Sequence, residues 1–371
     1  MSVLMCEYLN SKTVFQVGSH YFAKNFHADG YNVKWVNQPK TVFNSLVYKK
    51  NIIEENLSND FLSERFEEFY PKVFLPYCKY PILNSKFWAN NYMNFFPNKD
   101  FSQLQKQEID LLWMTNVKMF KLSDKIKYRF MIHRMADDFS GFKGAYKNLI
   151  YLQDRVIEKS NLVVVTAKNL LDIAYKKNKN VIYLPNGVDT ARFNENKYLV
   201  PEEYKNLNRP IIVYVGAIEE WFDYELINKS ASILKEYAFV IIGNTNDKIK
   251  EVFKENENIY LLGKKNHNEI PSYLVHADVG IMPFVDNKLT NSIHPLKLYE
   301  YFAAGLPVVS RKLEEVNHMN SPAQLYENQH EFVGMLKELV EEKTNKEELS
   351  AYAESNTWNN RYKQLKQFIK S

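Results

Sequence analysis

The stretch HPLKLYEYFAAGLPVVS (294–310) decides how the chain is read. Pro295 suits the first turn of a helix, where its missing N–H costs nothing, and Ser292 and His294 stand where caps stand. Leu296, Leu298, Tyr299, Phe302 and Ala303 recur at helical spacing. Gly305 supplies a stop, Pro307 forbids continuation, and Val308 and Val309 open a buried strand. The order is helix, tight turn, strand. Lys297 is the anomaly. A helix N-terminus prefers an anion, so a lysine in the first turn points to an anion delivered from outside, as phosphate often is. Glu300 lies one turn on and on the same side, where it suits hydrogen bonds from ribose hydroxyls. The segment fits a nucleoside diphosphate, although an ordinary exposed Lys–Glu pair has the same spacing.

The rest of the chain repeats this alternation. VGSHYFAKNFHADGYNVKWV (17–36) reads as a helix ended by Gly30, then a strand. DLLWMT (110–115) and YRFMIHRMADDF (128–139) read as buried strands, YLQDRVIEKS (151–160) as a helix, NLVVVTA (161–167) as a strand, NLLDIAYKK (169–177) as a helix and VIYLP (181–185) as a strand. After the polar stretch 194–209 the pattern restarts. RPIIVYVGAI (209–218), AFVIIGN (238–244), NIYLLGK (258–264) and DVGIMPF (278–284) read as strands, with helices over 224–237 and 270–277. Such alternation predicts parallel sheets covered by helices. The restart predicts two domains, 1–190 and 191–350, and the tail 351–371 reads as an amphipathic C-terminal helix. Ligands of open α/β sheets bind at strand carboxyl ends, so the turns after 215, 243, 263 and 284 line one edge.

Composition bounds the function. At 371 residues, 45% hydrophobic and 25% charged, the chain is a folded protein too long for one ordinary core. No apolar run approaches the roughly 20 residues that cross a bilayer, and MSVLMCEYLNSK lacks a signal-peptide pattern. Two cysteines, Cys6 and Cys78, form no metal or disulfide framework, so a reducing cytoplasm is the expected compartment. A net charge of +4 argues against a dedicated nucleic-acid binder. The stretch KVFLPYCKYPILNSKFWANNYMNFFPNK (72–99) mixes aromatic and basic residues, which suits either a core with lysines on its wet side or a peripheral patch on the inner membrane face.

Several chemistries are excluded by motif. The chain has no G-x-G, hence no dinucleotide fingerprint, and no G-x-x-x-x-G-K-[ST]. It has no D-x-D, H-E-x-x-H or Cys-rich zinc spacing. What remains is a nucleotide diphosphate site built from a helix N-terminus, glycine turns and lysine, with no cofactor and no obligatory metal.

PNGVD (185–189), YVGAI (214–218), FVIIGN (239–244), YLLGK (260–264), IPSYLVHADVGIMPF (270–284) and PLKLYEYFAAGLPVVS (295–310) together resemble, in order, the donor-binding domain of GT-B glycosyltransferases. TWNNRYKQL (357–365) is similar to that family's final helix, which implies that the helix in 351–371 packs back on the N-terminal domain. GSHYFAKNFHADGYNV (18–33) and RMADDFSGF (134–142) match more weakly. The resemblance implies two Rossmann-like domains facing across a cleft. It also implies a nucleotide-sugar donor held by Lys297 at the diphosphate and Glu300 at the ribose. Gly216 would admit close backbone approach, and Phe284 and His294 are placed beside them as donor-binding residues. Many retaining members carry a glutamate eight positions before the ribose glutamate. Here that position is Ser292, and the pattern is closer to inverting glucuronosyltransferases of xanthan and teichuronic acid type.

Inverting transfer needs a base near the acceptor hydroxyl. Asp137 and Asp138 follow a buried strand and precede a Ser-Gly turn, and the resemblance puts Asp137 at the base position, with Asp138 as a source of pKa-raising repulsion. The expected function is transfer from a UDP-sugar, UDP-glucuronate among the candidates, to a glycan or lipid-linked acceptor of a surface polysaccharide. The alternatives are a nucleotide-sugar epimerase or hydrolase of the same fold and a non-catalytic nucleotide-sugar-binding partner.

Overall fold

The computed structural model describes all residues except 14–15, 42–63, 78–82, 84, 94–101, 103, 140–146, 208–209, 245, 288, 343 and 370–371. It divides into two compact units, residues 1–185 with 362–371, and residues 186–361. The first division therefore falls after Pro185, and the second falls within the last helix.

Unit 1 is built on strands β1 (Ser2–Cys6), β2 (Asn32–Val36), β4 (Phe66–Phe69), β6 (Glu108–Met114), β7 (Lys127–Met135), β8 (Leu162–Val165) and β9 (Val181–Tyr183), with β3 (Lys40–Thr41) and β5 (Lys72–Val73) pairing apart. The sheet order is β4-β2-β1-β6-β7-β8-β9, parallel throughout. Unit 2 has β10 (Ile211–Val215), β11 (Ala238–Ile242), β12 (Ile259–Gly263), β13 (Val279–Met282), β14 (Val308–Arg311) and β15 (Gln324–Tyr326), in the parallel order β12-β11-β10-β13-β14-β15. Counted from its own first strand, each sheet reverses direction between its first and fourth strands, which is the doubly wound arrangement. Helices cover both faces of such sheets, and this is why LVVV, IIVYV and AFVII are apolar without alternation.

Helices α1 (Gly18–Ala28), α2 (Lys86–Asn91), α3 (Lys147–Lys159) and α4 (Asn169–Tyr175) belong to unit 1. Unit 2 carries α5 (Tyr224–Ile233), α6 (Asp247–Phe253), α7 (Ile270–Val275), α8 (Leu296–Ala303), α9 (Glu314–His318), α10 (Gln329–Glu341) and α11 (Lys346–Ser355). The last helix, α12 (Trp358–Ile369), packs Tyr362 edge-on against Phe26 at 5.0 Å and donates the Tyr362 hydroxyl to Asp29 at 2.8 Å. Its Lys366 pairs with the same aspartate.

Two readings of the sequence need correction. The helix expected over 224–237 ends at Ile233, because the buried Asn258 amide reaches the carbonyls of Ala231, Leu234 and Tyr237 at 3.0–3.1 Å and captures the chain there. The segment 2–6, not assigned from the sequence, is an inner strand of the unit 1 sheet, flanked by β2 and β6.

The opening segment folds as the helix, tight turn and strand read from it, although neither Ser292 nor His294 stands at the N-cap. Pro295 is the N-cap of α8, with no side-chain cap. Gly305, at φ +69°, takes the left-handed conformation that ends the helix, and Leu306 N–H returns to the Tyr301 carbonyl at 2.9 Å. The Tyr301 hydroxyl accepts the Val215 N–H at 2.9 Å, tying α8 to the end of β10. A Tyr301→Phe substitution strands that N–H in the core. It is expected to lower the unfolding free energy by about 1–3 kcal/mol, and denaturant unfolding of the two proteins checks this.

Candidate functional site

In unit 2, the carboxyl ends of β10 to β13 are drawn together by backbone bonds. Gly216 N–H reaches Ile242 O at 2.8 Å and Gly243 N–H reaches Gly263 O at 3.0 Å. A side chain at Gly243 would strike the Gly216 carbonyl, so the two turns pass only as glycines. The loop after β10 is zipped to the loop after β13. Asp223 N–H donates to Pro283 O at 2.7 Å, Val285 N–H to Trp221 O at 2.9 Å, and Phe222 bridges Phe284.

Lys297 lies on this platform from the first turn of α8. Its ammonium is 5.6 Å from the Tyr214 ring centre and 5.8 Å from that of Phe284, an arrangement that stabilises a cation by about 0.5–2 kcal/mol. A Cβ on Gly216 would fall 2.6 Å from Nζ, so that glycine is what lets the lysine lie down. Among the described residues, neither Lys297 nor Glu300 makes a side-chain hydrogen bond or ion pair. Burial pulls the Lys297 ammonium below its ordinary value, against the charge of Glu300. Burial pushes the Glu300 carboxyl up, against Arg192 first and Lys297 second. Arg192 is itself fixed by His267, with Nη1 2.6 Å from the ring Nε2 and Nη2 donating to the carbonyl at 3.0 Å. Arg192 was not singled out in the sequence. It follows NGVD by three residues, and that adjacency was its only signal.

His294 is not beside Lys297 on the surface. Only 4% exposed, its ring stacks on Tyr299 at 5.4 Å, with Nε2 3.2 Å from the Tyr299 hydroxyl and 4.0 Å from Glu315. Its carbonyl accepts from Asn186 at 3.1 Å, and Asn186 accepts from Arg361 at 3.1 Å. Phe284 is buried and serves as the wall described above. Ser292 sits in the short turn Thr290–Ser292 before α8.

In unit 1, Asp137 lies two residues beyond β7. The backbone there is held by Gln153, donating to Asp137 O at 3.0 Å, and by Thr166, donating to Ala136 O at 3.2 Å. The Asp137 side chain is exposed at the rim of a cavity of about 200 Å³ whose lining includes Glu7, Thr115, His133, Arg134 and Phe139. Although it reaches solvent, dense surrounding protein pushes its carboxyl up from the ordinary value, and the Arg134 guanidinium opposes this. The repulsion expected from Asp138 is not among the forces on it. The Ser-Gly turn at 140–141 lies outside the described residues.

Deeper in, Glu7 is 3% and Arg134 5% exposed. Glu7 accepts from Thr115 Oγ1 at 3.1 Å, which in turn accepts from Trp113 Nε1 at 3.1 Å. Burial pushes the Glu7 carboxyl up to about 8, with the Thr115 bond and the charge of Arg134 pulling it partway back. Burial pushes His133 down to about 4. Its Nδ1 lies 2.8 Å from Met114 O, so the neutral ring donates there. That leaves Nε2 an acceptor with no hydrogen-bond partner among the described residues. Among the described residues, no three His, Cys, Asp or Glu side chains gather as a metal-ligand set, and no helix is long and apolar enough to cross a membrane. Of the 72–99 stretch, Tyr77, Trp88 and Tyr92 are buried while Phe74 and Phe87 are 47% and 69% exposed. Its residues 78–82, 84 and 94–99 lie outside the described residues.

Glu7 and His133 set opposite pH dependences. Glu7 shifts from 4.5 to about 8 on folding, so the folded unit keeps a proton the unfolded chain has lost, and stability falls as pH rises across that window. His133 shifts from 6.5 to about 4, so its contribution is complete above pH 6.5 and is lost as pH falls. Between pH 6.5 and 8 only the first of the two acts. The protein is expected to lose about 1.4 kcal/mol per pH unit more than Glu7→Gln in that range. Thermal melts of both at pH 6.5, 7.2 and 8 check this.

Comparison with known proteins places this geometry. Residues 209–342 match the family described as glycosyl transferases group 1. A putative teichuronic acid biosynthesis glycosyltransferase of Bacillus subtilis, TuaH, is 24% identical over 230 residues, 58% of this chain and 58% of that protein. An uncharacterised 41.2 kDa protein of the Klebsiella pneumoniae cps region is 26% identical over 175 residues, 44% of this chain and 48% of that protein. The chain thus matches about half the length of these curated relatives. Among solved structures, sucrose-phosphate synthase of Thermosynechococcus elongatus superposes with a TM-score of 0.71 at 11% identity over 99% of this chain and 98% of that one. Anabaena HepE in complex with UDP-glucose superposes with a TM-score of 0.66 at 11% identity over 100% and 99%. At such identities the structural likeness speaks for the fold alone. Residues 209–342 form a glycosyl transferases group 1 domain, and the chain has the GT-B fold.

Proposed function

We propose that the chain is a glycosyltransferase that moves a sugar from a UDP-sugar to a glycan or lipid-linked acceptor during surface polysaccharide synthesis. The observation that carries this reading is Lys297, half-buried on Gly216 between two aromatic rings with no anion of its own. An unpaired cation held partly out of water is costly, and a diphosphate relieves that cost. The α8 N-terminus, which no side chain caps, adds its N–H groups and dipole to the same place. Glu300, one turn on, accepts the ribose hydroxyls. The group 1 match and the UDP-glucose complex of HepE support a UDP-sugar. The name of TuaH supports a surface polysaccharide and makes UDP-glucuronate the first donor to test.

The chemistry follows from where charge moves. Asp137 takes the proton of the acceptor hydroxyl, and that oxygen attacks the anomeric carbon from the face opposite UDP, inverting it. The bond to the diphosphate oxygen breaks, and the charge left on UDP is met by Lys297 and the α8 N-terminus without a required metal. The dense surrounding protein that raises the Asp137 carboxyl also strengthens it as a base. The exposed Phe74 and Phe87 support peripheral contact with the inner membrane face.

Two outcomes are expected. In thermal-shift assays UDP stabilises the protein, by about 2.7 kcal/mol at a hundredfold excess over Kd, where GDP, ADP and NAD do not. The shift survives EDTA, and Lys297→Ala weakens UDP binding about 10- to 100-fold. A shift that vanishes in EDTA would overturn metal independence. Asp137→Asn is expected to lower transfer about 10²- to 10⁴-fold while leaving UDP affinity unchanged, and normal turnover by that variant would remove Asp137 from the base role.

A further inference from the structure

We propose that Arg192, braced by His267, is a positioning residue of the donor site: it holds the Glu300 carboxylate to the ribose and so makes the site select a ribonucleotide over a deoxyribonucleotide. This rests on the donor reading above, in which Glu300 accepts the ribose hydroxyls. The short helix Thr190–Phe193, which carries Arg192, packs against both α8 and α7. Phe193 anchors it in the unit 2 core, and the Tyr198 hydroxyl donates to the Arg192 carbonyl at 2.7 Å. The guanidinium is held by the loop between β12 and α7. It donates through Nη1 to the His267 ring at 2.6 Å and through Nη2 to the His267 carbonyl at 3.0 Å. Burial pushes that ring down to about 4, and the charge of Arg192 acts in the same direction. At neutral pH the ring is therefore uncharged and its Nε2 accepts. The loop is itself stiff, since Asn266 N–H donates to Glu269 Oε2 and Glu269 N–H to Asn266 O, both at 2.9 Å. Fixing an arginine costs up to ~2 kcal/mol of rotamer freedom, and here that cost is met before any ligand arrives.

The charge of the ligand is what makes a second cation necessary. Two cations act on Glu300, Arg192 first and Lys297 second. Burial pushes the neighbouring Tyr301 hydroxyl up, so it stays neutral. Helix α11 faces α8 with Tyr352, against Tyr299 and Phe302, and places Lys346 beside Gly305 at the far end. A diphosphate bound at Lys297 engages that ammonium and adds negative charge near the carboxylate. Both effects push the half-buried Glu300 toward protonation. A protonated carboxyl has given part of its acceptor capacity to its own proton, whereas a carboxylate accepts from both ribose hydroxyls at once. Arg192 is the cation that remains. Its partners on His267 are a neutral ring and a carbonyl, which take none of its charge, so that charge stays available to Glu300 with the donor in place.

The test is calorimetric titration of the full chain with UDP and with 2′-deoxy-UDP, at about pH 6 and about pH 8.5. The two ligands carry the same diphosphate, so its titration cancels in the ratio of their Kd values. The wild type is expected to favour UDP at least about tenfold at both pH values. Arg192→Met is expected to lose that preference at the lower pH and to regain it at the higher, where Glu300 ionises unaided. Arg192→Lys is expected to keep most of it, and Glu300→Gln to lose it at both. Should Arg192→Met fail to fold, His267→Ala, which unfastens the guanidinium, carries the same comparison. A preference that survives both Arg192→Met and His267→Ala at the lower pH overturns the proposal. So does a loss in Arg192→Met that neither the higher pH nor lysine restores, which is the mark of an arginine that only holds the fold. Equal binding of the two ligands by the wild type overturns the ribose role of Glu300 and this inference with it, and leaves the diphosphate site standing. Failure of the wild type to bind UDP at all overturns the donor reading itself.

Discussion

The close approach of α8 to the end of β10 is the constraint on which the C-terminal unit depends. The helix is tied at two points one turn apart. Tyr301 accepts the Val215 N–H, and Lys297 lies across Gly216. The first is a single hydrogen bond with a net value near 1 kcal/mol, too little to position a helix alone. What fixes the geometry is exclusion. Gly216 has no Cβ for Lys297 to strike, Gly243 has none to strike the Gly216 carbonyl, and Gly280 leaves room for the Tyr301 ring. Three absent side chains along neighbouring strands let helix, turn and sheet pass within contact distance. In a close-packed interior, overlap is penalised far more steeply than contact is rewarded.

The two sheets share one strand order, so each has one crevice where that order reverses. The residue directly after the first strand stands at that crevice in both. In unit 2 it is Gly216 and in unit 1 it is Glu7. The same position in the same topology thus holds opposite chemistry. A glycine admits close backbone approach and leaves a lysine exposed to an anion. A buried glutamate whose carboxyl is pushed up to about 8 places an acid that can both donate and accept at that point.

Much of unit 2 was legible in the sequence. Strands β10, β11 and β13 are four- or five-residue apolar runs with a glycine or proline beside them, and parallel sheets covered on both faces require such runs. Lys297 was legible because a lysine in a first helical turn contradicts the dipole. What stayed hidden depended on distant partners. Glu7 follows the run SVLMC like any polar residue closing an apolar segment, and its burial depends on Thr115 and Arg134, more than a hundred positions away. Helix α5 ends at Ile233 because Asn258 arrives from another strand. His294 turns inward because Tyr299 and Glu315 meet it there. Adjacency misled at Asp137, where the neighbouring Asp138 was expected to raise the carboxyl; the surrounding protein raises it instead, and Arg134, three residues back, opposes that.

Arg192 explains how one turn of α8 can present opposite charges without their cancelling. Lys297 and Glu300 are spaced for an internal ion pair, yet they form none. Arg192, braced by His267, acts on Glu300 more strongly than Lys297 does. A carboxylate compensated from that side has less need of the lysine, and the lysine stays against its two rings. In the proposed reading this separation matters more than either charge alone. Were Glu300 to hold Lys297, a diphosphate would have to break that pair before binding, and the carboxylate would have fewer lone pairs for the ribose. With Arg192 in place the string Arg192, Glu300, Lys297 keeps one net positive charge, and its cationic end adjoins the helix dipole, where a diphosphate gains most from it.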